Sequence, residues 1–359
     1  DVISKVLSLP ALRGDPKQAE WVLPLHGSLA PDEQKKVFAK PPPGITKVVV
    51  ATNVAETSIT IDDVNFVIDS ARVKLLSYDN ARRVASLDDV LISQAAAKQR
   101  RGRAGRVRPG LCVHLHTSDA ALSQYTEPEV RRVPLEQLIM RIKSLRLPGL
   151  AGEICAELPE PPAPAAVTAS VAELEGLGAI DAAEQLTPLG QLLATLPIDP
   201  RLGKLIVLGA CFGAIDEALT IAAALASRSP FMSPFDRREQ ASWSRRDFAG
   251  GSQSDYLAVM RAYSEFDSYS RSDRYRFARD RFLGIKTLQG IGSLKRQLLE
   301  TMSAANLAPA GLRAGYVEML GRKTDGSDGV RVALERAAEE RGMEPPREAP
   351  EVLLTALLC

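Results

Sequence analysis

The octapeptide Gln99-Arg100-Arg101-Gly102-Arg103-Ala104-Gly105-Arg106 decides how the rest of the chain is read. Just ahead of it, Ser93-Gln94-Ala95-Ala96-Ala97-Lys98 opens a helix, with Ser93 as N-cap and the alanines as strong helix formers. At about 100° per residue, Gln99, Arg103 and Arg106 fall within about 60° of one another, and Arg101 points the other way. Gly102 and Gly105 leave room for another backbone to approach. A carboxamide beside two guanidinium groups suits a polyphosphate with an attacking water. The cations meet the charge that develops in phosphoryl transfer, and the amide holds the water. The same pattern also fits a basic helix face that binds only phosphate or solvent, and the octapeptide alone does not choose between the two.

Upstream stands Thr52-Asn53-Val54-Ala55-Glu56-Thr57-Ser58-Ile59-Thr60-Ile61-Asp62. This segment and the octapeptide together resemble motifs V and VI of a DEAH-box superfamily 2 RNA helicase, of the DEAH/RHA branch. The resemblance continues to the C-terminus through a winged-helix and a ratchet-like region. It implies a RecA-like second helicase domain over residues 1–130, lacking the family's N-terminal strand. A winged helix over 131–197 and a ratchet-like helical domain over 198–359 follow, so the chain reads as a piece of a helicase truncated at both ends.

The residues taken in order support an α/β beginning and a helical remainder. Asp1 to Leu9 reads as a short helix and Trp21-Val22-Leu23-Pro24-Leu25 as a strand, followed by a helix opening at Pro31-Asp32-Glu33 and ending at Phe38. Lys47 to Ala51, Asn65 to Asp69 and Leu111 to Leu115 are apolar runs of the kind that form buried parallel strands. Alternating strands and helices predict an incomplete parallel sheet with ligands at the strand carboxyl ends. Arg72 to Val90 interrupts the alternation as a β-hairpin whose tip is Asp79-Asn80-Ala81, followed by Arg82 and Arg83. Past His116 the helical spacing of Leu135, Leu138, Ile139, Ile142 and Leu145 takes over. The break Pro159 to Pro164 precedes a helix carrying Val167, Val171 and Leu174, then a small wing at Gly178 to Leu186 and a helix capped by Thr187-Pro188. Helices continue from Ile198 to about Leu312; residues 313–350 read as a polar segment, part loop or frayed helix, before the apolar Glu351 to Cys359.

Composition sets bounds. A chain of 359 residues with 45% hydrophobic and 25% charged residues forms two or three domains with ordinary cores. A net charge of +1 excludes a uniformly basic coat, so nucleic-acid contact falls to local patches such as Arg100 to Arg108 and Arg271 to Arg281. The four cysteines show no C-x-x-C pairing, which points to reduced thiols and an intracellular, cytoplasmic or nuclear, protein. No signal-peptide pattern opens the chain. The apolar run Leu205 to Ala226 carries Asp216-Glu217 in its middle, and reads as two buried helices with Asp216 capping the second, not as a membrane span.

The resemblance assigns roles. In the family a motif VI glutamine positions water and two arginines reach the γ-phosphate, positions that fall on Gln99, Arg103 and Arg106. Asp62 matches a ribose-binding residue and Phe38 a base-stacking aromatic, with Thr57 as a further hydroxyl at the nucleotide; stacking alone would admit several nucleoside triphosphates. Thr52 and Asn53 match positions on the RNA backbone, with His26 and Ser28 facing the same cleft and Arg82 and Arg83 at the hairpin. Cys112, His114 and His116 share a strand face but lack a fourth ligand for a metal. No G-x-x-x-x-G-K-[ST] loop and no D-E-x-H segment is present. ATP, or another nucleoside triphosphate, with Mg2+ is therefore expected between this chain and an N-terminal RecA-like domain of the full-length protein, and the fragment alone is expected to be inactive. RNA is the expected partner, single-stranded or a duplex with an overhang, with an activator protein as a further one and no membrane. A DNA-directed helicase, or a non-catalytic RNA- or protein-binding module, would fit the same residues.

Overall fold

The structure is a computed structural model that describes residues 2–10, 15–26, 29, 34–57, 59–79, 84–233, 237–324, 327–342, 349 and 351–358. The chain divides into two compact units, Asp1–Pro134 and Leu135–Cys359.

In the first unit the apolar runs become short strands: β1 (Val22–Leu25), β2 (Val48–Ala51), β3 (Phe66–Asp69) and β6 (Leu111–His114). They form two separate parallel pairs, β1 with β2 and β3 with β6, and not one continuous sheet among the described residues. The expectation that these runs are buried on both faces holds only in part. Phe66 and Ile68 are more than 70% exposed, and Leu111 and Val113 across from them are also open. Side chains alternate along a strand, so Val67, Asp69, Cys112 and His114 turn to the opposite face, where a single layer of helix packs. That helix is α2 (Gln94–Ala104), preceded in the chain by the short α1 (Val2–Leu7). The hairpin is present as antiparallel β4 (Arg72–Asp79) and β5 (Val84–Leu91), in register from Arg72↔Leu91 to Asp79↔Val84. Eight residues per strand make an arm of roughly 25 Å. Its base is pinned by the buried Ala71, Ile92 and Ala96, and its middle by Arg132, whose Nη1 donates to the Leu76 carbonyl at 2.6 Å. The helix expected to open at Pro31 begins outside the described residues; Lys36–Phe38 form a 3-10 turn that ends it at Phe38.

The second unit is helical: α3 (Glu136–Ser144), α4 (Ala151–Ala156), α5 (Pro164–Gly176), α6 (Pro188–Leu193), α7 (Pro200–Cys211), α8 (Ile215–Leu225), α9 (Arg238–Ala249), α10 (Asp255–Ser268), α11 (Arg274–Asp280), α12 (Ile285–Ala304), α13 (Ala314–Lys323), α14 (Val330–Glu339) and α15 (Glu351–Leu358). The wing is a one-bridge turn, Ile180 against Leu186. Thr187 caps α6 by accepting from the Gly190 amide at 3.0 Å with Pro188 behind it. Gly190 is required there, because any Cβ would overlap the Ala179 carbonyl. Leu205, Ala218, Ile221, Leu257 and Leu354 share one core cluster, so α15 docks on α7 and α8. No helix among the described residues is long and apolar enough to cross a membrane.

Two expectations are corrected in this unit. Asp216 does not cap α8: Ala214 stands at the cap, and the Asp216 carboxylate instead meets Lys295 of α12 at 2.7 Å. The segment 313–350, expected to be part loop or frayed helix, holds two packed helices among its described residues. Val317 and Leu320 of α13 and Val330, Ala333 and Leu334 of α14 are buried, and Asp328 between those helices reaches the same Lys295 at 2.9 Å. A dense surface of charge had hidden two amphipathic stripes.

Candidate functional site

Asp69 ends β3 with its carboxylate fully buried. It accepts from Arg100 Nη1 at 2.8 Å, from the Ala71 amide at 2.9 Å and from His114 Nδ1 at 3.1 Å. Burial alone would raise its pKa, but Arg100, the amide and His114 outweigh it and hold the carboxyl below its ordinary value. Arg100 also donates Nε to Glu56 at 2.9 Å and Nη1 to the Arg72 carbonyl at 3.2 Å. One guanidinium thus ties the Thr52–Asp62 segment, strand β3, the hairpin base and α2 together. Sequence reasoning had placed Arg100 in a nucleic-acid patch; it is an internal brace instead. The only sequence signal for this was the pair of distant acids.

At the other end of α2, the first amides are satisfied from outside the helix. Ser93 Oγ accepts from the Ala96 amide at 3.2 Å, while the Gln94 and Ala95 amides reach the carbonyls of Ser123 and Gln124. With its register fixed, α2 presents Gln99, which is exposed, and Arg103, which is half-buried, on one side. Arg103 Nη1 donates to the Ile59 carbonyl at 3.1 Å, so the two motif segments meet here. Arg106 lies beyond the helix, which stops at Ala104 with Gly105 as C-cap. Its position is set by the following turn and not by helical phase, a correction to the three-residue face. Among the described residues a Cβ at Gly102 or Gly105 would meet nothing within 4 Å; the close passage is at Gly110, where a Cβ would overlap the Ala104 and Asn65 carbonyl oxygens.

The turns that carry Phe38 and Asp62 are both tied to Lys47, a residue with no role expected from the sequence. Its ammonium, almost buried, meets the Asp63 carboxylate at 2.6 Å and the carbonyls of Val37 and Ala39 at 2.7 and 2.9 Å. The Phe38 turn and the Asp62–Asp63 turn are therefore held on either side of one cation, with Phe38 51% exposed and Asp62 open to solvent.

Parallel pairing of β1 and β2 puts His26, just after Leu25, beside Thr52, just after Ala51; the Thr52 amide donates to the Leu25 carbonyl at 3.0 Å. Thr52 and Asn53 are exposed at the strand ends, and Thr57 is exposed at the end of the one-turn helix Val54–Thr57. Ser28, Arg82 and Arg83 lie outside the described residues. Cys112 Sγ stands 3.7 Å from His114 Nε2, and His114 is already engaged by Asp69. Among the described residues no group of three or more His, Cys, Asp or Glu is placed to hold a metal ion.

Residues 16–108 match the helicase conserved C-terminal domain, 170–198 the winged-helix part of the helicase-associated domain and 199–280 its ratchet-like part. The chain is 44% identical to DHX57 of Homo sapiens, named an ATP-dependent RNA helicase, over 94% of its own length and 24% of that protein. It is 43% identical to the ATP-dependent RNA helicase DExH1 of Arabidopsis thaliana, over 84% of its length and 31% of the relative. It is 41% identical to the ATP-dependent DNA/RNA helicase DHX36 of Homo sapiens, over 79% and 29% respectively. The chain thus spans about a quarter of the length of these relatives. With all three helicase-domain models matched in chain order, the chain belongs to the DEAH-box RNA helicase family.

Proposed function

We propose that this chain is the trans-acting half of an ATP-dependent RNA helicase, supplying motif V and the motif VI arginines to an ATP site completed by another RecA-like domain. The observation that carries it is the Arg103–Ile59 contact, which couples the motif VI helix to motif V beside a Gln99 open to solvent. Gln99 positions the attacking water. Arg103 and Arg106 meet the charge that develops on the γ-phosphoryl oxygens. Phe38 stacks on the base, Asp62 takes the ribose hydroxyls, and Thr57 adds a hydroxyl nearby. Thr52, Asn53, His26 and Ser28 grip the nucleic-acid backbone, and the hairpin with Arg82 and Arg83 works against the strand. Residues 1–130, 131–197 and 198–359 serve as RecA-like, winged-helix and ratchet domains, moving as ATP turns over. Magnesium bound with the nucleotide would offset phosphate charge, and its ligands would come from the other domain.

The test is made in the full-length protein. Arg103→Ala and Arg106→Ala should each lower ATP turnover by roughly a thousandfold, the scale of arginine-finger losses, with little change in RNA affinity. Arg101→Ala, on the other side of α2, should be much milder. Near-normal turnover in either of the first two would make that arginine structural or RNA-facing. The isolated chain should show no turnover above background. DHX36 is named for DNA as well as RNA, so stimulation by single-stranded DNA is measured beside that by RNA. Equal stimulation by both would make the motor indifferent to the sugar.

A further inference from the structure

In the helical unit, α9 and the end of α11 border a cleft of about 410 Å³ that none of the steps above uses. Trp243 and Gln240 line it from α9, with Arg237 just ahead, and Arg279, Asp280 and Phe282 close the other side. The aromatic rings behind the cleft are packed: Phe248, Phe277 and Phe282 are each less than 10% exposed, and Phe248 sits 6.0 Å from Phe231 and 6.4 Å from Phe277. Trp243 is 64% exposed. An indole kept in water forgoes the favourable burial of a large apolar ring. Beside the packed Phe248, Phe277 and Phe282, it is a platform left open among the described residues that line the cleft.

The walls are cationic as well as aromatic. Arg237 lies over the Phe282 ring at 5.3 Å, Arg281 over Phe248 at 4.4 Å and Arg245 over Phe231 at 5.7 Å. Three of the lining residues are arginines, Arg237, Arg279 and Arg281, against one acid, Asp280, and Arg281 is paired with Asp247 behind them. Two ion pairs here, Arg279–Asp280 at 3.2 Å and Arg245–Asp255 at 2.8 Å, are solvent-exposed on both sides. Exposed pairs of this kind are worth little and give way readily to a phosphate. Phe282 is held at φ +57°, where glycine is ordinary, as α11 closes with the Leu283 amide donating to the Ala278 carbonyl at 2.7 Å. The chain keeps an aromatic there in a backbone conformation that disfavours side chains, and so keeps the ring beneath Arg237.

We propose that this cleft is a stacking site for a base of a single-stranded nucleic acid. The base lies on the Trp243 indole, and the flanking phosphates lie on Arg237 and Arg279. An open π-face framed by guanidinium groups accepts any base and follows the backbone without reading sequence. Inorganic phosphate would have no use for the indole, and the volume suits a nucleotide unit. The inference rests on the reading of the protein as a nucleic-acid motor, and it adds a grip in the helical unit.

The chain has two tryptophans, Trp21 and Trp243, so Trp21→Phe leaves Trp243 as the only indole. Short oligouridylate should quench its emission saturably, with an affinity that falls as salt rises; uridine monophosphate should do far less. Separately, anisotropy of labelled oligouridylate should show Trp243→Ala binding roughly 5- to 150-fold more weakly, the equivalent of about 1–3 kcal/mol for one stacked base. Trp243→Phe should recover most of that loss. Trp243 is largely exposed, so an unchanged circular dichroism spectrum is expected for both variants. If the oligonucleotide binds in anisotropy while Trp243 emission and Trp243→Ala affinity stay unchanged, the cleft lies off its path and this inference falls alone. Equal quenching by an acidic peptide would assign the cleft to a protein partner and overturn it too. A chain that binds no oligonucleotide overturns both this inference and the nucleic-acid reading beneath it.

Discussion

Replacing Arg100 with alanine leaves the fully buried Asp69 carboxylate with only His114 and the Ala71 amide, and leaves Glu56 without its cation. Breaking such a pair from one side costs about 3–5 kcal/mol. Urea unfolding of the first unit should show a loss of that order for Arg100→Ala and about 0.5 kcal/mol or less for the exposed Arg101→Ala. The pH dependence has a definite sign. Because the folded state holds the Asp69 pKa below its ordinary value, its contribution is complete above that value and is lost as pH falls through the folded one. The gap between wild type and Arg100→Ala should therefore narrow in acid; a gap that widens would mean another group carries the brace. At this scale the sequence was only partly legible. Gln99 and Arg103 followed from helical phase, because Ser93 fixes where α2 begins. Arg100 and Lys47 did not, because the acids that define their roles, Glu56, Asp69 and Asp63, come from elsewhere in the chain and meet them only once the strands align.

The elements with strong local signals were read correctly, the hairpin most clearly. Its strands pair Leu76 with Leu87 and Ser77 with Ser86, and both leucines are left exposed near the middle of the arm. Ser77 and Ser86 donate to Asp88 and lower its carboxyl pKa, a cross-strand clasp outside the main core. Arg132 and the Ala71–Ile92–Ala96 cluster pin the arm, so it should move with the α2 helix as one body. Replacing Asp79 to Arg83 by a short glycine-containing turn in the full-length protein should abolish duplex unwinding while most RNA-stimulated ATPase survives, both measured at one fixed salt concentration. Parallel loss of both activities would give the arm a folding role, and normal unwinding would make it idle. Where local signals were diluted, the reading slipped. The stripe Val317, Leu320, Val330, Ala333 and Leu334 is interrupted by charges on the opposite faces of α13 and α14, and average polarity concealed its period. The exposed face of β3 and β6 shows the opposite error, in which apolar runs implied a second covering layer that the described residues do not supply.

Across the helical unit, one polar network is buried. Lys295 meets Asp216 and Asp328, Tyr263 donates to Asp328 at 2.9 Å, and Asp267 accepts from the Asp328 amide at 2.8 Å and from Arg274. Burial, then the neighbouring Asp328 carboxylate, push the Asp267 carboxyl up to about 7. Burial works the same way on Asp328, but Lys295 outweighs it and holds that carboxyl below its ordinary value. A raised folded pKa means that the folded state binds the proton more tightly, so the Asp267 contribution is favourable in acid and fades as pH rises towards about 7. Asp267→Asn keeps an oxygen to accept both hydrogen bonds and cannot ionise. Relative to wild type its thermal midpoint should therefore stand higher at pH 8 than at pH 5, and the reverse order would refute the assignment. The same lysine has a consequence for how the protein is made. Its two carboxylate partners lie far apart in sequence, one well before Lys295 and one after it, so a nascent chain carries a half-paired buried cation until Asp328 has been synthesised. Any chain ended ahead of Asp328 would freeze that unfinished state, and its product should come out of the cell as inclusion bodies.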